Sequence, residues 1–213
     1  MGVTLINNPR AICNAVNSLK QGGVIGIPTD TVYGLACNAT NLQAIDSLYQ
    51  IKTRDYQKPL AICVGEVDDF MKWAEVGHLP AGLLERLLPG PVTLILHTKK
   101  TSALDKSLVC KGKVGIRIPN YSFIRDVANH LQAPIALTSA NLSSHPSSVS
   151  VEEFQALWHK LDGIYDGGHL GESHRGASTI VDLSQKGLYE IVREGMACES
   201  TVGILAAFGF TRK

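Results

Sequence analysis

Short apolar runs rich in β-branched residues recur at positions 24–27, 60–64, 92–96, 114–118 and 135–137, mostly separated by segments with helical spacing. Strands of that length, bounded by Gly, Pro and polar residues and alternating with amphipathic helices, predict an α/β sheet rather than a bundle or an all-β sandwich. Asn8-Pro9, the apolar positions Ile12, Val16 and Leu19, and Gly22-Gly23 predict a first helix. In it Asn accepts from first-turn amides, Pro takes the first helical position and Gly ends the helix. A second helix is expected after Asn41, turning Leu42, Ile45, Leu48 and Tyr49 inward and ending near Ile51. Further helices are expected at 81–88, 122–131 and 152–161, with strands near Ile164 and at 179–183 and 188–192. The last two strands, as neighbours, would make the sheet mixed. With 213 residues, 45% apolar and 18% charged, the chain can bury a substantial core and is read as a single domain over 1–213.

A formal net charge of +1 gives no global field for wrapping nucleic acid, so any electrostatic recognition has to be local. The five cysteines, Cys13, Cys37, Cys63, Cys110 and Cys198, are odd in number and mostly set in apolar runs, which predicts reduced thiols in an intracellular compartment. Cys198, with no partner base in sight, is read as a core thiol. No stretch approaches the length needed to cross a bilayer, and the first residues resemble neither a secretory leader nor an organelle transit peptide.

Two polar clusters stand directly behind apolar runs: Pro28-Thr29-Asp30-Thr31-Val32-Tyr33-Gly34-Leu35 and Thr138-Ser139-Ala140-Asn141. Open α/β sheets bind ligands in the crevice beyond the carboxyl ends of their strands, so both clusters put hydroxyls at the usual site. Lys52-Thr53-Arg54, followed by Lys58-Pro59-Leu60, adds three cations that could neutralise a triphosphate, or could equally cap a helix C-terminus where the macrodipole favours them. Arg117, flanked by Ile116 and Ile118, faces away from both on a strand. A guanidinium there binds either a substrate carboxylate or an internal one. Arg193 has the same two options, and Thr31, Ser139, Asn141, Ser147 and Ser178 could give neutral hydrogen bonds or serve as caps and turns. There is no P-loop, no Gly-x-Gly-x-x-Gly fingerprint and no Gly-x-Ser-x-Gly elbow. His169, Glu172 and His174 lack a second ligand set and read as a hydrated loop rather than a zinc site. The segments 143–150 and 167–176, rich in Ser, Gly and His, could serve as covers over a site.

Taken together, Pro28-Thr29-Asp30-Thr31-x-Tyr33-Gly34-Leu35, Lys52-x-Arg54-x-x-x-Lys58-Pro59-Leu60, Pro89-Gly90-Pro91-Val92-Thr93, Arg117-x-Pro119, Thr138-Ser139-Ala140-Asn141 and Ser178-Thr179-Ile180-Val181-Asp182-Leu183 resemble the YrdC-domain family of threonylcarbamoyl-AMP synthases. The animal members are the most similar, and the resemblance runs in order from about Ile12 to Val202. It implies a twisted open mixed sheet with flanking helices around a large basic cavity. The implied activity condenses L-threonine, bicarbonate or CO₂, and ATP into threonylcarbamoyl-AMP and pyrophosphate, with Mg²⁺ held mainly through the ATP phosphates. The product would pass to a separate tRNA threonylcarbamoyl transferase for tRNAs that decode ANN codons.

Carried over by motif, Lys52, Arg54, Ser139 and Asn141 would form the catalytic tetrad. With Lys58, Ser147 and Arg193 these would hold ATP, while Thr31, Arg117 and Ser178 would hold threonine. Cys63 stands where many members have a His that touches the amino acid, Glu194 replaces a Pro beside Arg193, and Ser144 replaces a frequent Gly. The resemblance implies a protein of the cytoplasm, with the mitochondrion as a second location, and leaves tRNA contact open. Two other readings compete with it: an RNA-binding module without chemistry, and a carbamoyl transferase like the related domains of hydrogenase-maturation proteins. The near-neutral charge weakens the first. Thr31 and Arg117, which suit a free amino acid, weaken the second.

Overall fold

The computed structural model describes residues 2–53, 55, 59–142, 145–171 and 176–213. Arg54, Lys58, Ser143, Ser144, Glu172 and His174 lie outside the described residues. The chain runs β1 (Val3–Leu5), α1 (Ala11–Lys20), β2 (Ile25–Ile27), β3 (Gly34–Asn38), α2 (Leu42–Lys52), β4 (Ala61–Cys63), α3 (Phe70–Trp73), α4 (Leu83–Leu87), β5 (Val92–His97), β6 (Lys113–Arg117), α5 (Ser122–Leu131), β7 (Ile135–Ser139), β8 (Gly163–Asp166), β9 (Thr179–Asp182), β10 (Leu188–Arg193), α6 (Cys198–Ala207) and β11 (Thr211–Arg212). These strands form one eleven-stranded sheet in the order β1-β8-β2-β3-β7-β4-β6-β5-β9-β10-β11.

The sheet is mixed throughout rather than only at its carboxyl end. Strands β3, β7 and β4 pair antiparallel in sequence, as do β5 with β6 and β9 with β10, whereas β2 with β8, β4 with β6 and β5 with β9 are parallel. Because β3 is antiparallel to both β2 and β7, those two strands run the same way, and their carboxyl ends bring the two polar clusters to one side of the sheet.

Several expectations need correction. Gly34-Leu35 and the residues after it form β3, since the polar cluster ends sooner than its motif does. Five elements, β1, β3, α3, α6 and β11, carried no expectation: three are short strands without clear alternation, α3 is a single turn, and α6 is too uniformly apolar to show a face. Leu42, expected inward, is exposed at the first position of α2, which Asn41 caps by accepting from Ala44 N at 3.0 Å. Pro9 lies in a turn ahead of α1, which starts at Ala11, and Asn8 Oδ1 accepts from Arg10 N at 2.9 Å. The segment Glu152–Lys160 is 3-10 rather than α-helical, with a break at Phe154. Cys198 is half-buried in the first turn of α6 rather than in the core.

Strand alternation splits the buried side chains between two layers. On one face Leu35, Ile62, Val114, Ile116, Leu94, Leu96 and Val181 pack under α2, α3, α4 and α6 in one continuous apolar layer. On the other face, Ile25, Ile27, Ala36, Ile135 and Cys63 pack under α1 and α5 through Ala15, Leu19, Phe123, Ile124 and Val127. The register carries this second face onward from Cys63 to Arg117 and from Ala61, opposite Leu137, to Gly115. Helices α1 and α5 do not extend over that remainder.

Candidate functional site

On the uncovered part of the second face the alternation continues, but the residue types change. Ala61 on β4, Lys113, Gly115 and Arg117 on β6, Thr93 and Ile95 on β5, Ile180 and Asp182 on β9, and Glu190 and Arg193 on β10 all line one cavity of about 590 Å³. Small side chains set its depth. A Cβ at Gly115 would meet Thr93 Cγ2 at 3.3 Å and Ala61 Cβ at 3.6 Å, so any larger residue there rises into the space.

The rim comes from the polar clusters. Thr29 Oγ1 donates to Val32 O at 2.7 Å and accepts the amides of Thr31 and Val32, which folds the loop after β2 into a closed turn. Tyr33 N donates to Ser148 O at 2.8 Å, Ala140 N donates to Tyr33 O at 2.7 Å, and Ser148 Oγ donates to Ala140 O at 2.5 Å. The Thr29–Tyr33 loop, the end of β7 and the segment bearing Ser147 are therefore stitched into one wall. Tyr33 is itself buried, and burial pushes its phenol well above the ordinary value. Its hydroxyl lies 2.6 Å from Gly168 O and 3.1 Å from Asp166 Oδ1 and accepts from Gly167 N at 3.0 Å.

Helix α2 ends one residue later than expected, at Lys52, with Thr53 in the left-handed region (φ 49°). The Lys52 side chain then turns into the protein and is 2% exposed. Its ammonium group donates to Ser139 O at 2.7 Å, Asn141 O at 2.5 Å and Asn141 Oδ1 at 2.9 Å, and lies 3.5 Å from Ser139 Oγ. Asn141 Nδ2 also donates to Leu142 O and His145 O. Lys52 and Asn141 thus stand behind the cavity wall and shape the loop that presents Ser139, while Ser139 and Ser147 line the cavity directly.

Thr31, Arg117, Ser178 and Arg193 also line it. Arg117 is 8% exposed, forms an ion pair with Asp30, and donates through the same Nη2 to Thr31 Oγ1 at 3.1 Å; among the described residues its Nε has no partner. The internal carboxylate that the sequence left as one option therefore exists, yet the guanidinium is not saturated by it. Ser178 Oγ lies 2.9 Å from Thr93 Oγ1, and Arg193 donates through Nε and Nη2 to Ser178 O at 3.1 and 2.8 Å and through Nη2 to Ser178 Oγ at 3.1 Å. An irregularity in the β9–β10 register between Ile191 and Arg193 turns Arg193 toward the cavity, with the neighbouring Glu194 exposed. Continuing the register, Arg117, Thr93, Ile180 and Arg193 form one row across adjacent strands. The two guanidinium-bearing residues are then three strand spacings, about 14 Å, apart.

Other charged lining residues are Lys111, Lys113, Asp182 and Glu190, which strand periodicity at i, i+2 would have exposed had the sheet order been known. Lys113 Nζ donates to Asp182 Oδ2 at 2.7 Å, and Ser184 N donates to Asp182 Oδ1 at 2.8 Å. Burial opposes ionisation of Asp182, but these hydrogen bonds and the lysine's charge outweigh it and hold the carboxyl below its ordinary value. Cys63, beside Arg117, is fully buried, and burial pushes its thiol up to about 12, so it is no nucleophile at neutral pH. Among the described residues no group of three or more His, Cys, Asp or Glu converges as a metal site, and no helix is long and apolar enough to cross a membrane.

Comparison with known proteins gives a consistent answer. The Sua5/YciO/YrdC family model, described as "Telomere recombination", matches residues 17–195. A Bos taurus threonylcarbamoyl-AMP synthase is 47% identical over 204 residues, covering 93% of this chain and 73% of its own. The Homo sapiens enzyme of the same name is 47% identical over 200 residues, with 92% and 71% covered. Among solved structures, P. abyssi Sua5 complexed with L-threonine superposes with a TM-score of 0.82 at 26% identity. That match covers 95% of this chain, which spans 59% of the Sua5 chain.

Proposed function

The chain belongs to the Sua5/YciO/YrdC family, and from that premise we propose that it is an L-threonylcarbamoyladenylate synthase. L-threonine, bicarbonate or CO₂, and ATP are its substrates; threonylcarbamoyl-AMP and pyrophosphate are its products. The observation that carries this reading is a single cavity on which a buried, incompletely paired guanidinium (Arg117) and a hydroxyl-rich wall (Ser139, Ser147) both open. A free amino acid and a nucleotide need those two kinds of recognition side by side.

Arg117 and Thr31 take the threonine carboxylate, charge-assisted and in a desolvated wall where such bonds are strong. Ser178, braced by Arg193 and Thr93, lies on the same face two residues before Ile180 and can reach the amino acid's polar groups. Ser139 and Ser147 meet the nucleotide. Arg54, Lys58 and Arg193 balance its phosphate charge, and Lys52 with Asn141 holds the Ser139 loop in shape. Mg²⁺ that arrives with ATP draws most of its oxygens from phosphate and water, so the hard hydroxyl oxygens of Ser139 and Ser147 suit it without an acidic cage. When bound, it neutralises phosphate charge.

The threonine amine, as the free base, adds to CO₂ (formed from bicarbonate and a proton with loss of water) and gives up a proton to solvent to leave a carbamate; a carbamate oxygen then attacks the α-phosphorus, whose bond to the bridging oxygen breaks as pyrophosphate leaves. No side-chain nucleophile is required, which fits the inert burial of Cys37 and Cys63. The protein contributes proximity and charge stabilisation. The product then serves tRNA modification through a separate transferase, with residence in the cytoplasm or mitochondrion.

Purified protein given ATP, Mg²⁺, threonine and bicarbonate should release pyrophosphate only when threonine is present. Release that ignores threonine would overturn the reading, and RNA binding without release would favour a non-catalytic module.

A further inference from the structure

We propose that Asp30 is a positioning residue for the amino acid site. Its carboxylate fixes the Arg117 guanidinium so that the edge of it that lines the cavity meets the substrate carboxylate. The proposal rests on the reading that Arg117 binds that carboxylate.

Asp30 sits in the loop after β2, and Arg117 ends β6, more than eighty residues later and several strands away in the sheet. The Asp30 and Arg117 side chains are each only 9% exposed. One carboxylate oxygen takes Arg117 Nη2, and the other accepts Asn120 N at 2.9 Å, just past Pro119. The carboxylate is therefore clamped from two directions and cannot swing with the arginine. Thr31 Oγ1, next along the same loop, takes the same Nη2 at 3.1 Å. This loop thus occupies one nitrogen of the guanidinium, and Nε stays buried with no partner among the described residues. A buried N–H donor without a partner is costly, so Asp30 and Thr31 hold the guanidinium in an orientation it would otherwise leave to find Nε an acceptor.

Asp30 does not line the cavity, so it acts through Arg117 rather than on the substrate. Its counter-charge also makes the burial of Arg117 tolerable before substrate arrives. An arginine on four rotatable bonds with no fixed anchor would sample orientations that turn that edge away from the cavity. Together these contacts give a reason for the pairing of two sequence motifs: Asp30 from the first is held by the turn that follows the second.

The test is equilibrium binding of L-threonine, L-threoninamide and ATP to the full chain and to Asp30→Ala, Arg117→Ala and the double variant. L-threoninamide lacks the carboxylate, so it reports the rest of the site. Asp30→Ala should weaken L-threonine about 10-fold or more, the scale of a charge-assisted hydrogen bond, and leave L-threoninamide and ATP within about 2-fold. The double variant should bind threonine no worse than Arg117→Ala alone, because Asp30 has no effect left to exert. Asp30→Glu, which keeps the charge but shifts it, should give a smaller loss with the same selectivity and carries the test if the alanine variant does not fold. Unchanged threonine binding in the Asp30 variants, or equal weakening of all three ligands, would overturn the proposal while leaving Arg117 in place. If Arg117→Ala itself left threonine binding intact, the amino acid site assignment would fall, and the role of Asp30 with it.

Discussion

One face of one sheet is used in two opposite ways. From β8 to β4, the side chains Ile25, Ile27, Ala36, Ile135 and Cys63 are aliphatic or small and lie under α1 and α5. From β6 to β10, the same face shows Gly115, Thr93, Asp182, Lys113 and the two arginines to a cavity. Backbone pairing runs unbroken between the halves, and the opposite face is apolar across both. The difference teaches that the site is a stretch of sheet from which covering helices have been withheld. On the proposed reading the side chains there serve hydrogen bonding to a ligand instead of dry packing, which would require internal partners for each charge.

Four experiments can break or sharpen that contrast. Arg117→Ala should have the largest effect, reducing threonine-dependent kcat/KM by about 100-fold or more in steady-state assays while leaving Asp30 a buried, unpaired charge that costs about 3 kcal/mol or more in denaturant unfolding. Activity that survived intact would erase the functional half of the comparison. On the covered half, Ile25→Ala should cost about 3 kcal/mol of stability, with the midpoint of urea unfolding lowered and KM for both substrates unchanged. A selective kinetic defect there would mean that the halves are not separable.

Gly115→Val should do the reverse, lowering kcat/KM about 10-fold by raising the cavity floor at a stability cost of about 1 kcal/mol. If threonine affinity and turnover were both unaffected, the floor would not be where substrate lies. The smallest effect is expected from Lys113→Met, about 1 kcal/mol at neutral pH from the lost charged hydrogen bond to Asp182. Asp182 is held below its unfolded value near 3.9, so its contribution is present above that pH and is lost as the pH falls through the lower folded value. The gap between wild type and variant should therefore close in unfolding curves taken below about pH 4; a gap that stayed constant to low pH would assign it to packing.

Much of this was legible in the chain itself, because strand and helix periodicity are local. The helix at Ser122–Leu131 and the strands around residues 92–96 and 114–118 follow from spacing alone. So does the opposition of Arg117 to Ile116. Asp30 was visible only as a motif letter, since its partners Arg117 and Asn120 are about ninety residues away. The Lys113–Asp182 pair was hidden for the same reason. The sequence could suggest that Lys52 and Asn141 matter, but only three-dimensional packing makes the lysine a brace behind the wall.

The amino-acid sequence alone determined which residues alternate, roughly where most of the helices and strands lie, and that hydroxyls and cations follow particular strands, because these depend on neighbours within a few residues. The tertiary structure alone decided which strands lie side by side, where helical cover stops, and hence which alternate side chains become a cavity. Those outcomes depend on contacts between distant segments, whose energies no local pattern encodes.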